Sequence, residues 1–388
     1  MLNTTLSSLS CPRRKKGSHA CGGALALETK GICEKIEISP LPEVFEVRSG
    51  TLQCTHCQAK YPILGGVAVV VENVRQYLVE HVKGISKLVS EDELPKEFRK
   101  DFSEAIEEIQ TEHIEEDLEA DRVNALYLMT HYLNTAGSQK GIAWWAPESG
   151  EGSPLIASLV KQHWDQGPFA QIKKWVGELA SKKTELNAVE LGCGVGGLFP
   201  VLRAHLKSYL GVDSSFASIA LARHIALGFA YEGEIKVPED LLKGSVSRKV
   251  QLAKVSYKEV CKEGSVDFVV GDFEHPPLQK GRWNLSIALN AIDMLDRPEV
   301  LPRLQCDLLN AEGIAIQSCP YIWHEAVSRK LRARLPKGIV TSSKAVEWLY
   351  TQVGFEIEKS VEHVPWLFFK HVRQLEIYSV HMFQGRRS

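Results

Sequence analysis

Two groups of residues in this 388-residue chain have types and spacings that could do chemistry. The first is Glu190-Leu191-Gly192-Cys193-Gly194-Val195-Gly196-Gly197, entered from a short apolar run and followed by a helix-like stretch, with Asp213 closing Tyr209-Leu210-Gly211-Val212. The glycines let the backbone turn tightly and come close to a ligand. An acidic residue after the second strand is placed to accept hydrogen bonds from a ribose diol. Glu190, two positions before the first glycine, suits a cationic amino-acid group and would oppose a pyrophosphate. There is no Gly-Lys-Ser phosphate loop. After a later strand, Gly271-Asp272-Phe273 could meet a base, with Asp272 accepting from an adenine amino group and Phe273 beside the ring; the lesser alternative for Asp272 is an Asx turn or a helix cap.

The second group is Cys11, Cys21 and the knuckle Cys54-Thr55-His56-Cys57. Two thiolates at that spacing can grip one tetrahedral ion, and Cys21 with either Cys11 or His19 can supply the other side. A lone CxxC is also the spacing of a redox pair or of chance, but four cysteines flanking paired β-runs favour structural zinc. Cys33 is read as inert. A module this small has little core of its own, so metal binding would carry much of its folding free energy.

The elements that must position these groups fall into three regions. Residues 1–71 form the cysteine-bearing module, with a long excursion from Glu28 to Gly50 and strand-like runs at Thr51-Leu52-Gln53, Tyr61-Pro62-Ile63 and Val67–Val71. Residues 72–186 read as a mostly helical linker or substrate-covering region. Ser86 to Thr130 and Leu155 to Leu179 have spaced apolar positions, and Trp144-Trp145-Ala146-Pro147 lies between them. The acidic cluster from Glu104 to Glu119 reads as a solvated helix face. Residues 187–388 alternate strand and helix signals: strands at Ala188–Leu191, Ser208–Val212, Asp267–Val270, Ser286–Asn290 and Gly313–Ser318, helices at Leu198–Leu206, Ser215–Leu227 and Val300–Asn310. Residues 228–262 look like an insertion, and Trp366–Phe369 with Ile377–Phe383 could close the sheet with antiparallel strands. The expectation is an α/β fold with a Rossmann-like, mostly parallel sheet.

Composition is ordinary for a globular chain, with 44% hydrophobic and 24% charged residues and a formal net charge of -2. That balance argues against a strong nucleic-acid footprint, although Arg13-Arg14-Lys15-Lys16 is locally basic. No apolar run is long enough to span a bilayer, and residues 1–10 lack the pattern of a signal peptide. Nine cysteines are too thinly spread for a disulfide scaffold, so a reducing, cytoplasmic setting is expected.

Three resemblances follow from these residues. The first module, through Leu9, Cys11-Pro12, Cys21, Gly23, Leu52, Cys54, Cys57, Tyr61-Pro62-Ile63 and Gly66-Val67, resembles the zinc-ribbon family of the small activator subunit of transfer-RNA and protein methyltransferases. That family usually spaces its first two cysteines two residues apart. Here nine residues separate Cys11 from Cys21. Residues 187–388 look like a class I S-adenosylmethionine-dependent methyltransferase. The resemblance implies that Glu190, Gly192, Cys193, Gly194 and Gly196 shape the cofactor loop, that Asp213 and Ser214 meet the ribose, that Asp272 and Phe273 border adenine, and that Asn290 stands at the same edge. More narrowly, Val212–Phe216, Asn290–Pro298, Ser318–Glu325 and Val364–Arg373 resemble the methyltransferase domain of ovothiol synthases, which methylates the imidazole of mercaptohistidine, and more distantly the protein histidine methyltransferases. Met294 stands where a basic residue is usual, and the sulfoxide-synthase portion is absent.

That resemblance implies an imidazole acceptor, in a histidine-derived small molecule or a peptidyl histidine. Such a ring is largely neutral at cellular pH, so no strong base is needed. The ring must be held in the correct tautomer, in line with the methyl group. Asp293 is the candidate for accepting from the other ring nitrogen, with Tyr321 beside it and Asn290 orienting the substrate. Asp293 could instead cap a helix, and Tyr321 could be a core-edge aromatic. His324 and His371 are more weakly placed. An RNA-directed methyltransferase would need a basic, aromatic-lined groove. A non-catalytic methyltransferase-like scaffold would not need the full set of Glu190, Gly192, Asp213 and Asp272.

Overall fold

The computed structural model describes residues 1–14, 20–35, 44–110, 127–128, 130–132, 154–182, 185–227, 231–240, 244–252, 265–371 and 374–388. The expectations for His19, Trp144 to Pro147, Val372-Arg373 and most of the acidic run after Gln110 lie outside the described residues.

The N-terminal module carries β1 (Leu25–Lys30), β2 (Cys33–Lys35), β3 (Phe45–Val47), β4 (Gly50–Cys54), β5 (Lys60–Leu64) and β6 (Val67–Ala68). Four of these form an antiparallel sheet in the order β1-β4-β5-β6, and β2 pairs with β3 within the excursion. Helices follow: α1 (Val74–Leu88), α2 (Arg99–Gln110), α3 (Pro154–Gln166) and α4 (Pro168–Ala180). The run expected to be helical from Ser86 is interrupted. α1 ends at Leu88, and Ser90 to Phe98 forms two 3-10 turns around Pro95, whose ring cannot continue a helix.

The central sheet is built from β7 (Asn187–Leu191), β8 (Ser208–Asp213), β11 (Ser265–Val270), β12 (Trp283–Leu289), β13 (Leu309–Cys319), β14 (Phe355–His371) and β15 (Gln374–Arg387). Its order is β11-β8-β7-β12-β13-β15-β14. The first five strands run parallel, and β15 enters antiparallel to both β13 and β14. Chain direction across the sheet reverses between β7 and β12, which opens a crevice at their carboxyl ends. The insertion contributes an antiparallel ribbon, β9 (Tyr231–Asp240) with β10 (Gly244–Leu252). α5 (Phe199–Leu202) is short and continues as a 3-10 turn to His205. α6 (Phe216–Ala226) is capped by Ser215, whose hydroxyl accepts from the Ser218 N–H. α7 (Val300–Leu308), α8 (Glu325–Arg334) and α9 (Ser342–Thr351) complete the domain.

Alternate side chains of the sheet feed two cores. Ala188, Tyr209, Phe268 and Ile287 pack under α1, α4 and α6. Val189, Leu191, Leu210 and Val269 face the opposite way, against α7 and α9 and also against Leu9, Leu52, Tyr61 and Ile63 of the N-terminal module. The module therefore does not rely on a core of its own. It shares a core with the sheet and extends the sheet's edge, where Val69 bridges Val270 in parallel and the Val70 N–H bonds the Val270 carbonyl at 3.0 Å. A buried ionic latch reinforces the join. Arg223 of α6 reaches Glu46 at 2.7 Å and also Asp267, all nearly inaccessible. Asp267 further accepts from the Leu2 N–H at 2.8 Å and from Thr5 Oγ1 at 2.6 Å.

Candidate functional site

The crevice has two walls. The first is the glycine loop after β7. The Gly192 and Cys193 N–H groups both bond the Val212 carbonyl, at 2.8 and 3.1 Å, which folds the loop back over β8. Gly192, Gly194 and Gly196 have φ of +73°, +52° and +74°, a region that favours glycine. A Cβ on Gly192 would meet the Phe273 ring at 3.7 Å and Ala291 at 3.9 Å, so bare backbone lies between that ring and the loop after β12. Asp213 is pinned from behind, its Oδ2 accepting from the Gly194 N–H and its Oδ1 from the Ser215 N–H, each at 2.9 Å. Each oxygen keeps a second lone pair for a hydroxyl donor. Burial raises the Asp213 carboxyl, and these backbone donors oppose the rise. Ser214 is exposed, and its carbonyl accepts from Tyr77 Oη at 2.6 Å. Tyr127 stands near enough that the Asp213 charge adds to burial in raising its hydroxyl.

Two members of the loop point elsewhere. Cys193 is buried with its sulfur toward Gly211, so only its backbone borders the crevice. Glu190 is buried, and Tyr209 Oη donates to its Oε2. Burial pushes the Glu190 carboxyl up to about 8, against the tyrosine hydrogen bond, with Asp213 adding repulsion. Asp272 closes the Asx turn, accepting from the Glu274 N–H at 2.9 Å, with His275 Nδ1 3.5 Å from its other oxygen.

The second wall joins the loops after β12 and β13. Asn290 takes φ +51° and Tyr321 φ +62°, both uncommon for residues with side chains. The Asn290 N–H bonds the Ser318 carbonyl at 2.8 Å, and Ser318 Oγ donates to Asn290 Oδ1 at 2.9 Å. Asp293 is buried inside a 3-10 turn (Ile292–Met294) rather than capping a helix, and its Oδ2 accepts from the Ile322 N–H at 2.7 Å. Asn290 and Asp293 thus tie the two loops together. Tyr321 Oη lies 2.6 Å from His381 Nδ1 of β15. Behind that ring, Nε2 is 3.0 Å from Ser360 Oγ and 3.3 Å from Glu347 Oε1. Nothing in the sequence pattern singles out His381, Glu347 or Ser360. The one trace is a histidine inside the apolar run Ile377–Phe383. Trp366, by contrast, is core: it packs edge-on against Phe169 and His163. Its neighbour Phe368 meets the Tyr127 ring at 5.3 Å, and Tyr378 lies near enough to Asp293 to feel its charge. His324 is exposed and begins α8 without a side-chain cap bond.

The cysteines converge. The Sγ atoms of Cys11, Cys21, Cys54 and Cys57 all lie within 4.8 Å of one another, with Cys11–Cys57 at 3.5 Å and Cys21–Cys54 at 3.7 Å. Burial works against ionising Cys54, but the N–H groups of Cys57 and His56 pointing at its sulfur outweigh it and bring the thiol down to about 7. Burial raises Cys11, which meets Tyr61 Oη at 2.9 Å. Four thiols so gathered, one of them poised to ionise, fit a tetrahedral soft cation. Cys33 is exposed and apart.

No family model matches the chain, and no curated protein does. Solved structures do match. Magnesium protoporphyrin IX methyltransferase from Synechocystis PCC 6803 with bound S-adenosylhomocysteine is 14% identical, covers 74% of this chain and 100% of its own, and has a TM-score of 0.39. The [4+2]-cyclase SpnF is 12% identical over 70% of this chain and 93% of its own, also at 0.39. A SAM-dependent methyltransferase from Methanosarcina mazei is 14% identical over 52% of this chain and 92% of its own, at 0.34. Likenesses this distant assign no activity. The strand order, the antiparallel penultimate strand and the crevice between β7 and β12 themselves define the fold as Rossmann-like, with a mostly parallel sheet.

Proposed function

We propose that this chain is an S-adenosylmethionine-dependent N-methyltransferase whose acceptor is an imidazole nitrogen, with a structural zinc ion in its N-terminal module. One observation carries the cofactor reading: a glycine loop of bare backbone, a ring (Phe273) against Gly192, and Asp213 with free lone pairs all line one crevice at the sheet's reversal point. Gly192 and Gly194 would leave room for the nucleoside, Asp213 would accept from its ribose, and Phe273 would lie along its base. When bound, the cofactor supplies an electrophilic methyl group on a sulfonium. Glu190 would serve the cationic amino-acid end only by losing its proton, because burial favours the neutral acid at physiological pH.

The acceptor reading rests on the second wall. Asn290, Asp293 and Tyr321 stand on two bonded loops facing the glycine loop, and Tyr127, Phe368 and Tyr378 supply aromatic surface nearby. A flat ring held there would have its lone pair directed at the methyl group. The RNA-directed alternative has less support: Arg14 of the basic cluster is paired with Glu72 at 2.9 Å.

Calorimetry of the zinc-loaded chain with S-adenosylmethionine, followed by a methyl-transfer assay over imidazole metabolites and histidine peptides with mass spectrometry, tests both parts. Cofactor binding without transfer to any imidazole would remove the acceptor assignment. Absence of cofactor binding in folded protein would remove the enzyme reading as well.

A further inference from the structure

Five polar residues behind the second wall bond to one another in series, and each position constrains where the next hydrogen sits. Glu347 Oε2 accepts from Lys344 Nζ at 2.7 Å, and its Oε1 accepts from Ser360 Oγ at 2.6 Å. Burial alone would raise the Glu347 carboxyl, but those two donors hold it below its ordinary value, so it is a carboxylate and cannot donate. Ser360 has one hydrogen and spends it on Glu347. Its oxygen therefore offers only lone pairs to His381 Nε2 at 3.0 Å, and Nε2 must carry a proton. His381 is almost inaccessible, and burial lowers it, against the charges of Glu362 and Glu347 and with that of Lys344. The resting ring is neutral, so its Nδ1 is bare and receives the hydroxyl hydrogen of Tyr321 at 2.6 Å. Tyr321 has then used its sole hydrogen. Any further partner of its oxygen must be a donor.

We propose that Lys344, Glu347, Ser360 and His381 fix Tyr321 Oη as a proton acceptor in the crevice, so that the acceptor substrate presents an N–H to Tyr321 and surrenders that proton during methyl transfer. This rests on the methyltransferase reading and gives Tyr321 an accepting role beside the one expected of Asp293, whose Oδ2 accepts from the Ile322 N–H. The balance is simple. The acceptor's unprotonated ring nitrogen forms the nitrogen–carbon bond while the carbon–sulfur pair stays on sulfur. The proton of the opposite ring nitrogen passes to Tyr321 Oη as the tyrosine's own proton passes to His381 Nδ1. One positive charge on the sulfonium becomes one on His381, next to the Glu347 carboxylate. Tyr321 touches the substrate; His381, Ser360 and Glu347 are positioning residues. The charges of Cys319, Glu362, Glu347 and Tyr350 also act on the Tyr321 hydroxyl, and the hydrogen bond it makes is to His381. The left-handed φ of Tyr321 supports a built function for this side chain, since a merely structural aromatic gains nothing from that strain.

The test uses the full, zinc-loaded chain with 15N-histidine. Long-range proton–nitrogen correlation spectra at neutral pH, with His381 assigned by its loss in His381→Gln, read the tautomer directly. Protonated Nε2 and bare Nδ1 are expected, and Tyr321→Phe should move the Nδ1 signal while leaving Nε2 in place. Protonated Nδ1 would overturn the relay, whether or not any substrate is methylated. A second arm measures transfer to free histidine and to a histidine tripeptide. Tyr321→Phe should lower turnover about 10²–10⁴-fold with cofactor Kd unchanged. Glu347→Gln should move the acidic limb of the pH–rate profile, because it removes the charge that favours protonated His381. Full turnover in Tyr321→Phe also overturns the proposal. If wild-type chain binds cofactor but methylates neither probe, the imidazole assignment fails, while the tautomer still decides the relay.

Discussion

The two walls of the crevice are built in opposite ways. The glycine-loop wall is made from contiguous chain: Gly192 to Gly197 folds on itself, and Asp213 is held by the N–H groups of Gly194 and Ser215, never more than about two dozen residues away. Its polar groups are mostly backbone. The wall after β12 and β13 is made from side chains brought together across long stretches: Asn290 with Ser318, Asp293 with Ile322, Tyr321 with His381, and His381 with Ser360 and Glu347. A wall of backbone suits a ligand common to many proteins. A wall of side chains can be respecified for one substrate without disturbing the first. The difference teaches where to look for each kind of information.

Removing the proposed zinc should have the largest effect and strikes the first wall. Structural zinc contributes about 10–16 kcal/mol of apparent binding free energy in small modules. Here the module shares a core with the sheet and prolongs the edge at Val270. Chelation, or Cys54→Ser with Cys57→Ser, should lower Tm sharply and weaken cofactor binding. The comparison breaks if melting and cofactor affinity are unchanged in metal-free protein.

Arg223→Ala comes next. It leaves Glu46 with the more distant Arg48 and N-terminal amine and Asp267 with the Leu2 and Thr5 donors, and losing one partner of a buried ionic set costs about 3–5 kcal/mol. Urea unfolding should show that loss, whereas Arg223→Met, which removes the same guanidinium but fills the space, should recover only part. A loss under about 1 kcal/mol would mean the latch is already compensated by Leu2 and Thr5.

Glu190 gives a pH signature. Its folded value, about 8, lies above the ordinary 4.5. A raised carboxyl contributes stability that is fully present below the unfolded value and is lost as pH rises through the folded one. Wild-type stability should therefore fall between about pH 5 and 8 relative to Glu190→Gln, by a few kcal/mol in all. Parallel stability profiles for the two proteins would show that Glu190 is ionised throughout. Cofactor binding should release a proton near pH 7 if Glu190 meets the ammonium, which calorimetry in buffers of different ionisation enthalpy would register.

The smallest effect sharpens the second wall. Asn290→Ala removes the acceptor for Ser318 and leaves a Cβ at positive φ without compensation, for about 1–2 kcal/mol. Denaturant midpoints would measure it, and an unchanged midpoint would mean the loop relaxes freely.

The motif around Gly192 and Asp213, the five parallel strands and the antiparallel closing pair were legible because each is local. Apolar runs of strand length, glycines where φ must be positive, and an acid at a strand's end need no distant partner to be recognised. The cysteine quartet was legible in part: the knuckle is local, but only the fold brings Cys11 beside Cys57. Helices α8 and α9 and the ribbon of β9 and β10 were not read, because their patterns are weakly amphipathic and context selects their state. Trp366, read as part of a closing antiparallel strand, lies in β14 and packs against Phe169 and His163.

What the sequence determined by itself is the strands of the sheet and the loop that a nucleoside would meet, since these depend on periodicity and backbone freedom within a few dozen residues. What the tertiary structure alone decided is the chain of hydrogen bonds from Lys344 to Tyr321. Proton position there depends on donors and acceptors from α9, β14, β15 and the loop after β13 arriving within about 3 Å of one another, and hydrogen-bond direction is a property of the assembled set rather than of any member.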